Sequence, residues 1–228
     1  MEKRVSALLA TMMLMLVGCS SSNPLEDVYK DLDAEEAYEA MVDYFNEKVN
    51  YYKQTSSTES KYSKSKGEAE YLVKDEVFYA ISWDYGEDGK FLSGYITDED
   101  KHYSLYSYSD DYVYFDDDII QDGEATIMSI IFDDDYYTII DAKRKDKDDK
   151  IILSIEVETE YGSNYVYEYT IGEDGLLTKY VRKSYLYEGD EEPFITVTYK
   201  LSDLNKQTKL DMKSAIEKIE EYADDLVE

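Results

Sequence analysis

The amino-acid sequence predicts an α+β protein in which a large curved antiparallel sheet, a half-barrel of about ten strands, packs against helices. Three observations lead to this class. Apolar residues follow a helical spacing near the start of the chain and again near its end. Between these two regions, short segments alternate apolar and polar residues with period two, and turn residues separate them. No segment repeats at a fixed period, which argues against a solenoid or a propeller.

The first residues have the composition of an export signal. Lys3 and Arg4 precede the apolar run 5–17, and Gly18 stands directly before Cys19, the only cysteine. That run is shorter than the about 20 residues that a transmembrane helix needs. A basic start, a short apolar stretch and a small residue before the cleavage point are typical of a signal peptide.

The order Leu16-Val17-Gly18-Cys19 resembles the lipobox of bacterial lipoproteins. This resemblance implies that the Cys19 thiol receives a diacylglyceryl group, that the chain is cut between Gly18 and Cys19, and that acyl chains such as palmitate anchor the protein. We therefore expect a lipoprotein signal peptide over 1–18, a lipidated tether over 19–32 and a single domain over 33–228. The expected location is the extracytoplasmic face of the cell membrane. The alternative is an ordinary secretory signal in which the cysteine is incidental.

The charge of the chain restricts its partners. It carries 53 acidic and 24 basic side chains, a formal net charge of −29. Such a charge repels nucleic acid and anionic membrane surfaces, so both are poor candidate partners. Intrinsic disorder is the alternative for so acidic a chain. The 26 tyrosines and the regularly spaced valines and isoleucines argue instead for a folded domain.

Two helices are predicted, one at each end of the domain. Asp33 and Glu36 have the spacing of a capping box, which marks the start of the first helix. The apolar residues after it lie on one helical face: Tyr38, Met41, Val42, Phe45, Val49 and Tyr52. Three more have the spacing to extend this helix backward by two turns: Leu25, Val28 and Leu32. The last helix is predicted from Met212, Ile216, Ile219, Tyr222 and Leu226.

The strands are predicted between these helices. Residues 54–66 are polar and predicted as a loop, after which period-two alternation begins at Glu68. Frequent turn residues predict a meander of about five strands up to Phe115. Residues 116–135 break the alternation and suit a short helix or a crossing segment. Further strands are predicted over 136–142, 151–158, 164–171, 176–187 and 194–201.

Two stretches of the chain resemble the LolA/LppX-like lipoprotein-carrier superfamily and related Gram-positive lipoproteins. "YLVKDEVFYAISWDYGEDGKFLSGYITDEDKHYSLYSYSDDYVYFD" is similar to its ladder of short hairpins, and "DGLLTKYVRKSYLYEGDEEPFITVTYKLSDLNKQTKL" to its closing hairpin. The resemblance implies a half-barrel and a helix that enclose an apolar cavity for acyl chains. This chain departs from the family in its tyrosine-rich strands and in an extra acidic helix at its end. Because a buried tyrosine hydroxyl needs a hydrogen-bond partner, an acyl tunnel is less well supported than the fold.

The residues offer little for catalysis or for a bound cofactor. His102 is the only histidine, and Cys19 would be consumed by lipid, so a Ser-His-Asp or Cys-His site has few possible members. No glycine-rich phosphate loop is present. The aspartate clusters "DDYVYFDDD" and "FDDDYY" offer oxygen ligands but lack the spacing of a calcium loop. We therefore predict no enzymatic activity, no metal and no cofactor, with the aspartates in solvated turns.

The aromatic residues are the remaining candidates for binding. A ligand or partner face is predicted from Trp83, Tyr103, Tyr106, Tyr112 and Tyr114. The same residues also suit the core or surface of any half-buried sheet. The predicted function is a lipid-anchored extracytoplasmic binding or carrier lipoprotein, with a hydrophobic small molecule as the candidate ligand. The alternative is a surface interaction module that binds a protein or a glycan through a tyrosine-rich face of the sheet.

Overall fold

The computed structural model describes residues 23–99, 101–108, 111–118, 128, 137–160, 162–186 and 192–224, and only the backbone of 107–108, 111–118 and 224. The helices are α1 (Pro24–Tyr29), α2 (Ala34–Lys48) and α3 (Met212–Asp224). The strands are β1 (Tyr51–Ser60), β2 (Lys64–Lys74), β3 (Val77–Gly86), β4 (Phe91–Asp98), β5 (Lys101–Tyr108), β6 (Asp111–Asp118), β7 (Tyr137–Lys147), β8 (Lys150–Thr159), β9 (Asn164–Ile171), β10 (Leu177–Tyr185) and β11 (Ile195–Ser202). The predicted signal peptide, Cys19, Leu226 and most of the segment 116–135 lie outside the described residues.

The strands form one antiparallel sheet in the order β6-β5-β4-β3-β2-β1-β11-β10-β9-β8-β7. Nearly every strand pairs with its neighbours in sequence, as in a meander, and the pairing of β1 with β11 joins the two halves of the chain. This open curved sheet with an N-terminal and a C-terminal helix confirms the predicted fold class.

The start of α2 is confirmed in atomic detail. Oδ1 of Asp33 accepts hydrogen bonds from the backbone N–H groups of Glu35 and Glu36, each at 3.0 Å, and Oε2 of Glu36 accepts from the N–H of Asp33 at 3.1 Å. These bonds satisfy donors that a helix start leaves unpaired. The helix ends at Lys48, so the predicted continuation through Tyr52 is wrong, and Tyr52 belongs to β1.

Residues 24–29 form a helix of the domain, although 19–32 was predicted as a tether. Tyr29 of α1 is fully buried, and its hydroxyl donates to the carbonyl oxygen of Gly175 at 2.7 Å. Nη1 of Arg144 donates to the carbonyl oxygens of Tyr29 and Leu32 at 2.7 and 2.6 Å. These contacts bind α1 and the α1–α2 connection to the sheet, and the local spacing of apolar residues could not reveal them.

The loop predicted over 54–66 is wrong, because most of it lies in β1 and β2. The segment is rich in serine, threonine and lysine, and it shows no apolar alternation. Its backbone nevertheless pairs on both sides, since β1 lies between β2 and β11 in the middle of the sheet. Pairing with neighbouring strands outweighs a weak local strand pattern, because strand preference depends strongly on context.

The two long helices cover opposite faces of the sheet. Tyr51 and Tyr52 are adjacent in β1 and both buried, so their side chains point to opposite faces. Tyr52 contacts Phe45 of α2 with ring centroids 5.6 Å apart, whereas Tyr51 packs with Leu210 just before α3. The α2 face is therefore covered by α2 over β7 and β8, and the α3 face is covered by α3 over β4, β5 and β6.

Candidate ligand-binding cleft

A cleft of 460 Å³ opens on the α2 face in the middle of the sheet. Its floor consists of small hydroxyl side chains of β1 and β2, namely Ser56, Thr58 and Ser65. The strands on either side carry larger residues, so the cleft lies where the side chains are short. Its volume is within the range of about 300–1,000 Å³ that is usual for small-molecule sites.

The register of the strands places the walls of the cleft opposite each other. One cross-strand row runs from Asp84 in β3 through Gly67 and Ser56 to Tyr199 in β11. The next row runs from Ser65 through Thr58 and Val197 to Arg182 in β10. Asp84 and its neighbours in β4 thus form one wall, and Tyr199 with Arg182 forms the other.

Gly67 leaves room for the acidic wall. A β-carbon at this position would overlap Oδ1 of Asp84 and lie 2.5 Å from Oγ of Ser56. The hydroxyl of Ser93 donates to Oδ2 of Asp84 at 3.3 Å. Burial raises the pKa of Asp84, because the charged carboxylate loses hydration, and the hydrogen bond from Ser93 partly offsets that rise.

The opposite wall continues into a row of tyrosine rings. Tyr199 stacks on Tyr180 with centroids 4.3 Å apart, and Tyr180 stacks on Tyr169 at 6.0 Å. Burial raises the pKa of Tyr199 and of Tyr180, and it raises the pKa of Tyr167 to about 12. These hydroxyls are therefore neutral near pH 7, and each can donate or accept a hydrogen bond.

Arg182 brings a positive charge to this wall. Its Nε atom is buried and has no hydrogen-bond partner among the described residues. The register places Arg182 between Val197 and Tyr167, and its charge lowers the pKa of Tyr167, Tyr180 and Tyr199 against the larger effect of burial. Arg144, by contrast, pairs with Asp146 through Nε at 2.7 Å.

The aromatic residues predicted as a binding face are divided between the two faces of the sheet. Trp83 and Tyr103 lie on the α3 face and are buried with α3, where Nζ of Lys218 sits 4.1 Å from the centroid of the Trp83 ring. Tyr106 pairs with Ser93, lies on the α2 face and is 42% exposed. Only the backbone positions of Tyr112 and Tyr114, in β6, are described. The structure thus does not bring Trp83, Tyr103 and Tyr106 together on one surface.

His102 lies between hydroxyl groups on the α2 face of β5. Its Nε2 is 2.6 Å from Oγ of Ser104, and its Nδ1 is 3.3 Å from Oγ1 of Thr97. Ser104 is only 4% exposed, and a threonine hydroxyl occupies the position that a triad gives to a carboxylate. The arrangement therefore resembles a hydrogen-bonded sheet interior more than an accessible nucleophile.

Two further features bear on function. In the part of the chain that the structure describes, no group of three or more His, Cys, Asp or Glu side chains is placed to hold a metal ion. Over the same residues, no helix combines the length and the apolar character needed to cross a membrane.

Arg182 and the floor of the cleft were not predicted as functional. One signal was present in the sequence, because Arg182 stands two residues after Tyr180 and two before Ser184, so strand alternation places it on the same face as Tyr180. The floor was hidden, since its residues lie mainly in the segment interpreted as a loop.

Comparison with known proteins yields distant structural matches. No protein-family model and no curated protein sequence matches the chain. A chain in the MucA/MucB complex of Pseudomonas aeruginosa aligns with 14% identity and a TM-score of 0.42, over 79% of this chain and 59% of the other. A LolA superfamily protein from Nitrosomonas europaea aligns with 11% identity and a TM-score of 0.30, over 79% and 96%. A DUF1329 family protein from Desulfovibrio piger aligns with 11% identity and a TM-score of 0.26, over 78% and 95%.

This chain thus spans 59% of the length of the Pseudomonas chain. Identities of 14% or less and TM-scores below 0.5 carry no inference about a ligand or a partner.

Proposed function

We propose that this protein is a lipid-anchored extracytoplasmic binding protein, without enzymatic activity, that holds a small ligand in the cleft on the α2 face. The observation that carries the proposal is the cleft, in which floor, acidic wall and basic wall come from six strands of one sheet. Its volume and its few converging polar groups match those of small-molecule sites. The lipobox-like order that ends at Cys19 supports the anchor.

The lining favours a polar or amphipathic ligand over an acyl chain. Hydroxyl groups form the floor, and Asp84 and Arg182 stand in the walls. The space beneath α2 is occupied by packed side chains, among them Tyr38 and Tyr169, whose ring centroids are 5.1 Å apart. An acyl chain would leave the charged and hydroxyl groups of the cleft without hydrogen-bond partners, which is costly when they are buried.

The position of α1, the first described helix, supports a cleft that faces away from the membrane. Pro24 lies next to Gly175 in the β9–β10 turn, at the end of the sheet opposite the start of β11. The cleft extends toward that opposite end, where Ser65 and Ile195 line it. A strand of ten residues spans about 30 Å. An anchor at Cys19 would therefore hold the cleft on the order of one strand length from the lipid surface.

A second candidate function, a module that binds a partner protein or a glycan, is favoured by the tip of the β1–β2 hairpin. Tyr62 is 77% exposed there, and its ring centroid lies 6.1 Å from that of Phe194. Exposed aromatic pairs of this kind occur at interfaces. The pair lies at the end of the sheet that carries the start of β11, so a partner could approach without contacting the membrane.

The experiment compares two phenylalanine variants of the full chain in the same strand. Thr58→Phe fills the floor of the cleft, whereas Ser57→Phe places the same ring on the exposed α3 face of β1. Native mass spectrometry after mild purification should show a small molecule bound to the wild type and to Ser57→Phe, and a reduced amount on Thr58→Phe. A ligand retained equally by all three proteins, or found on none, would contradict binding in the cleft.

The anchor is tested separately by Cys19→Ala in the producing bacterium. Radiolabelled palmitate should label the wild type and not the variant, and the wild type should sediment with membranes, because more than one acyl chain holds a protein there stably. Equal labelling of both proteins would refute the lipoprotein assignment without bearing on the cleft.

A further inference from the structure

We infer that the ligand of the cleft, whose existence rests on the proposed function, carries a single carboxylate that the guanidinium of Arg182 binds. The first reason is the state of Arg182 itself. Its Nε atom is buried without a hydrogen-bond partner among the described residues. Buried polar groups in native proteins are nearly always paired, so an unpaired nitrogen beside a cleft points to an acceptor that comes from outside the chain.

Among the described residues of the sheet, the acidic side chains considered as partners of Arg182 are engaged elsewhere or lie far away. Glu168, in the adjacent strand β9, pairs with Nζ of Lys183 at 3.0 Å on the α3 face. Asp84 stands on the opposite wall, and β2, β1 and β11 separate its strand from that of Arg182. Four strand spacings of about 4.8 Å place the two backbones about 19 Å apart. The described side chains on which the guanidinium acts electrostatically are tyrosines, in a chain with a net charge of −29.

The shape of the guanidinium favours a planar anion. Its N–H groups form a rigid fork that matches both oxygens of a carboxylate, and a side-on approach would also give Nε its acceptor. A phosphate monoester would fit the same fork but carries close to two negative charges near pH 7. The high negative charge of the chain penalises that second charge. A carboxylate satisfies Arg182 with less repulsion.

The acidic wall, which contains Asp84, indicates a second feature of the ligand. Asp84 accepts a hydrogen bond from Ser93 and retains capacity to accept another from a group in the cleft. The hydroxyl floor between the walls can bond to polar groups along the ligand. The ligand class is thus a small carboxylate with hydrogen-bond donors at its other end.

The chain offers a direct spectroscopic reporter. It contains three arginines, Arg4, Arg144 and Arg182, so the Nε–Hε region of a ¹H–¹⁵N spectrum of the full chain contains at most three signals. Arg182→Gln assigns one of them by its loss. Benzoate serves as the carboxylate probe, phenyl phosphate as the phosphate probe and benzyl alcohol as the neutral probe, each at up to about 50 mM because such small fragments bind weakly.

The matched control is Lys183→Gln, which removes one positive charge from the neighbouring residue on the other face of the sheet. We expect benzoate to shift the Arg182 signal and not the Arg144 signal. Arg182→Gln should weaken benzoate binding, followed by the shifts of cleft amides, by about tenfold or more, since charge-assisted hydrogen bonds are lost. Lys183→Gln should change it less than about twofold, because Lys183 points to the other face of the sheet and cannot contact a ligand in the cleft.

Three results would overturn the inference. They are an Arg182 signal that benzoate does not move, tighter binding of phenyl phosphate than of benzoate, and a contact in the free protein between Arg182 Nε and a carboxylate of its own chain. If any of these occurs while Thr58→Phe still loses a co-purifying molecule, the cleft remains a binding site and only its ligand class is wrong. If Thr58→Phe and wild type retain the same molecule equally, the proposed function fails as well.

Discussion

Ile219→Ala tests whether Trp83 belongs to the core beneath α3, as the structure shows, or to a partner-binding surface. Ile219 is fully buried in the cluster that contains Trp83 and Phe91, and Tyr222 one turn later stacks on Phe91 with centroids 4.4 Å apart. The substitution removes three buried carbon atoms, which at about 0.8 kcal/mol each gives about 2.4 kcal/mol. A residual cavity adds to this loss, and measured Ile→Ala costs are about 2–5 kcal/mol.

We expect a loss in the free energy of unfolding of about 2–3 kcal/mol, at the low end of that range, because a helix near the end of the described chain can settle into part of the space. With a urea m value of about 2 kcal/mol/M, the midpoint should fall by about 1–1.5 M. Trp83 is the only tryptophan, so its fluorescence reports on this cluster specifically. The control is Glu220→Ala, an exposed neighbour in α3, which should change stability by less than about 0.5 kcal/mol.

A midpoint for Ile219→Ala that matches the midpoint for Glu220→Ala would refute the packing of α3 on Trp83. Near-ultraviolet circular dichroism is dominated by the many tyrosines, which lie on both faces of the sheet, so it reports on the whole domain. If the fluorescence transition moves and the tyrosine transition does not, the cluster around Trp83 unfolds separately from the rest of the domain.

Two further predictions concern single polar groups. Burial raises the pKa of Asp84, so its charged form is disfavoured in the folded protein, and the wild type loses stability as pH rises through that raised pKa. The stability of Asp84→Asn relative to the wild type should therefore increase between about pH 3 and pH 7. The measurement is the difference between the urea midpoints of the two proteins at each pH. A difference that is the same at both pH values would contradict this prediction. Tyr29→Phe removes the hydrogen-bond donor to the Gly175 carbonyl and should lower the free energy of unfolding by about 1–3 kcal/mol. The control, Tyr62→Phe at the exposed hairpin tip, should change the unfolding midpoint little. Equal effects of the two substitutions would argue against the buried hydrogen bond.

Local chemistry explains what could be predicted without the structure. The start of α2 depends on Asp33 and Glu36, which lie within one turn of each other, so four residues contain the whole signal. The strands β8 to β11 were predicted within two residues of their bounds, because one buried and one exposed face produce alternation along each strand. The strand predicted over 136–142 was too short, since β7 continues through the charged residues up to Lys147. The final helix was predicted for the same kind of reason, from the spacing of the apolar residues that meet the sheet.

The strand assignment of residues 54–66 needed the tertiary structure. Ser56, Thr58 and Ser65 carry no apolar pattern, and they are in strands because β2 and β11 supply hydrogen-bond partners on both sides of β1. Those partners come from separate parts of the chain, and β11 lies more than a hundred residues from β1. A short stretch of sequence therefore contains no information about such pairing.

The cleft likewise depends on register and on which face each helix covers. Alternation places Arg182 on the same face as Tyr180, and Trp83 on the face opposite Asp84, from their positions in single strands. It does not reveal that α3 covers Trp83, or that Asp84 and Arg182 face each other across Ser56 and Thr58. Side-chain direction repeats every two residues and is a local property, whereas the pairing of distant strands is decided by the free energy of the whole packed sheet.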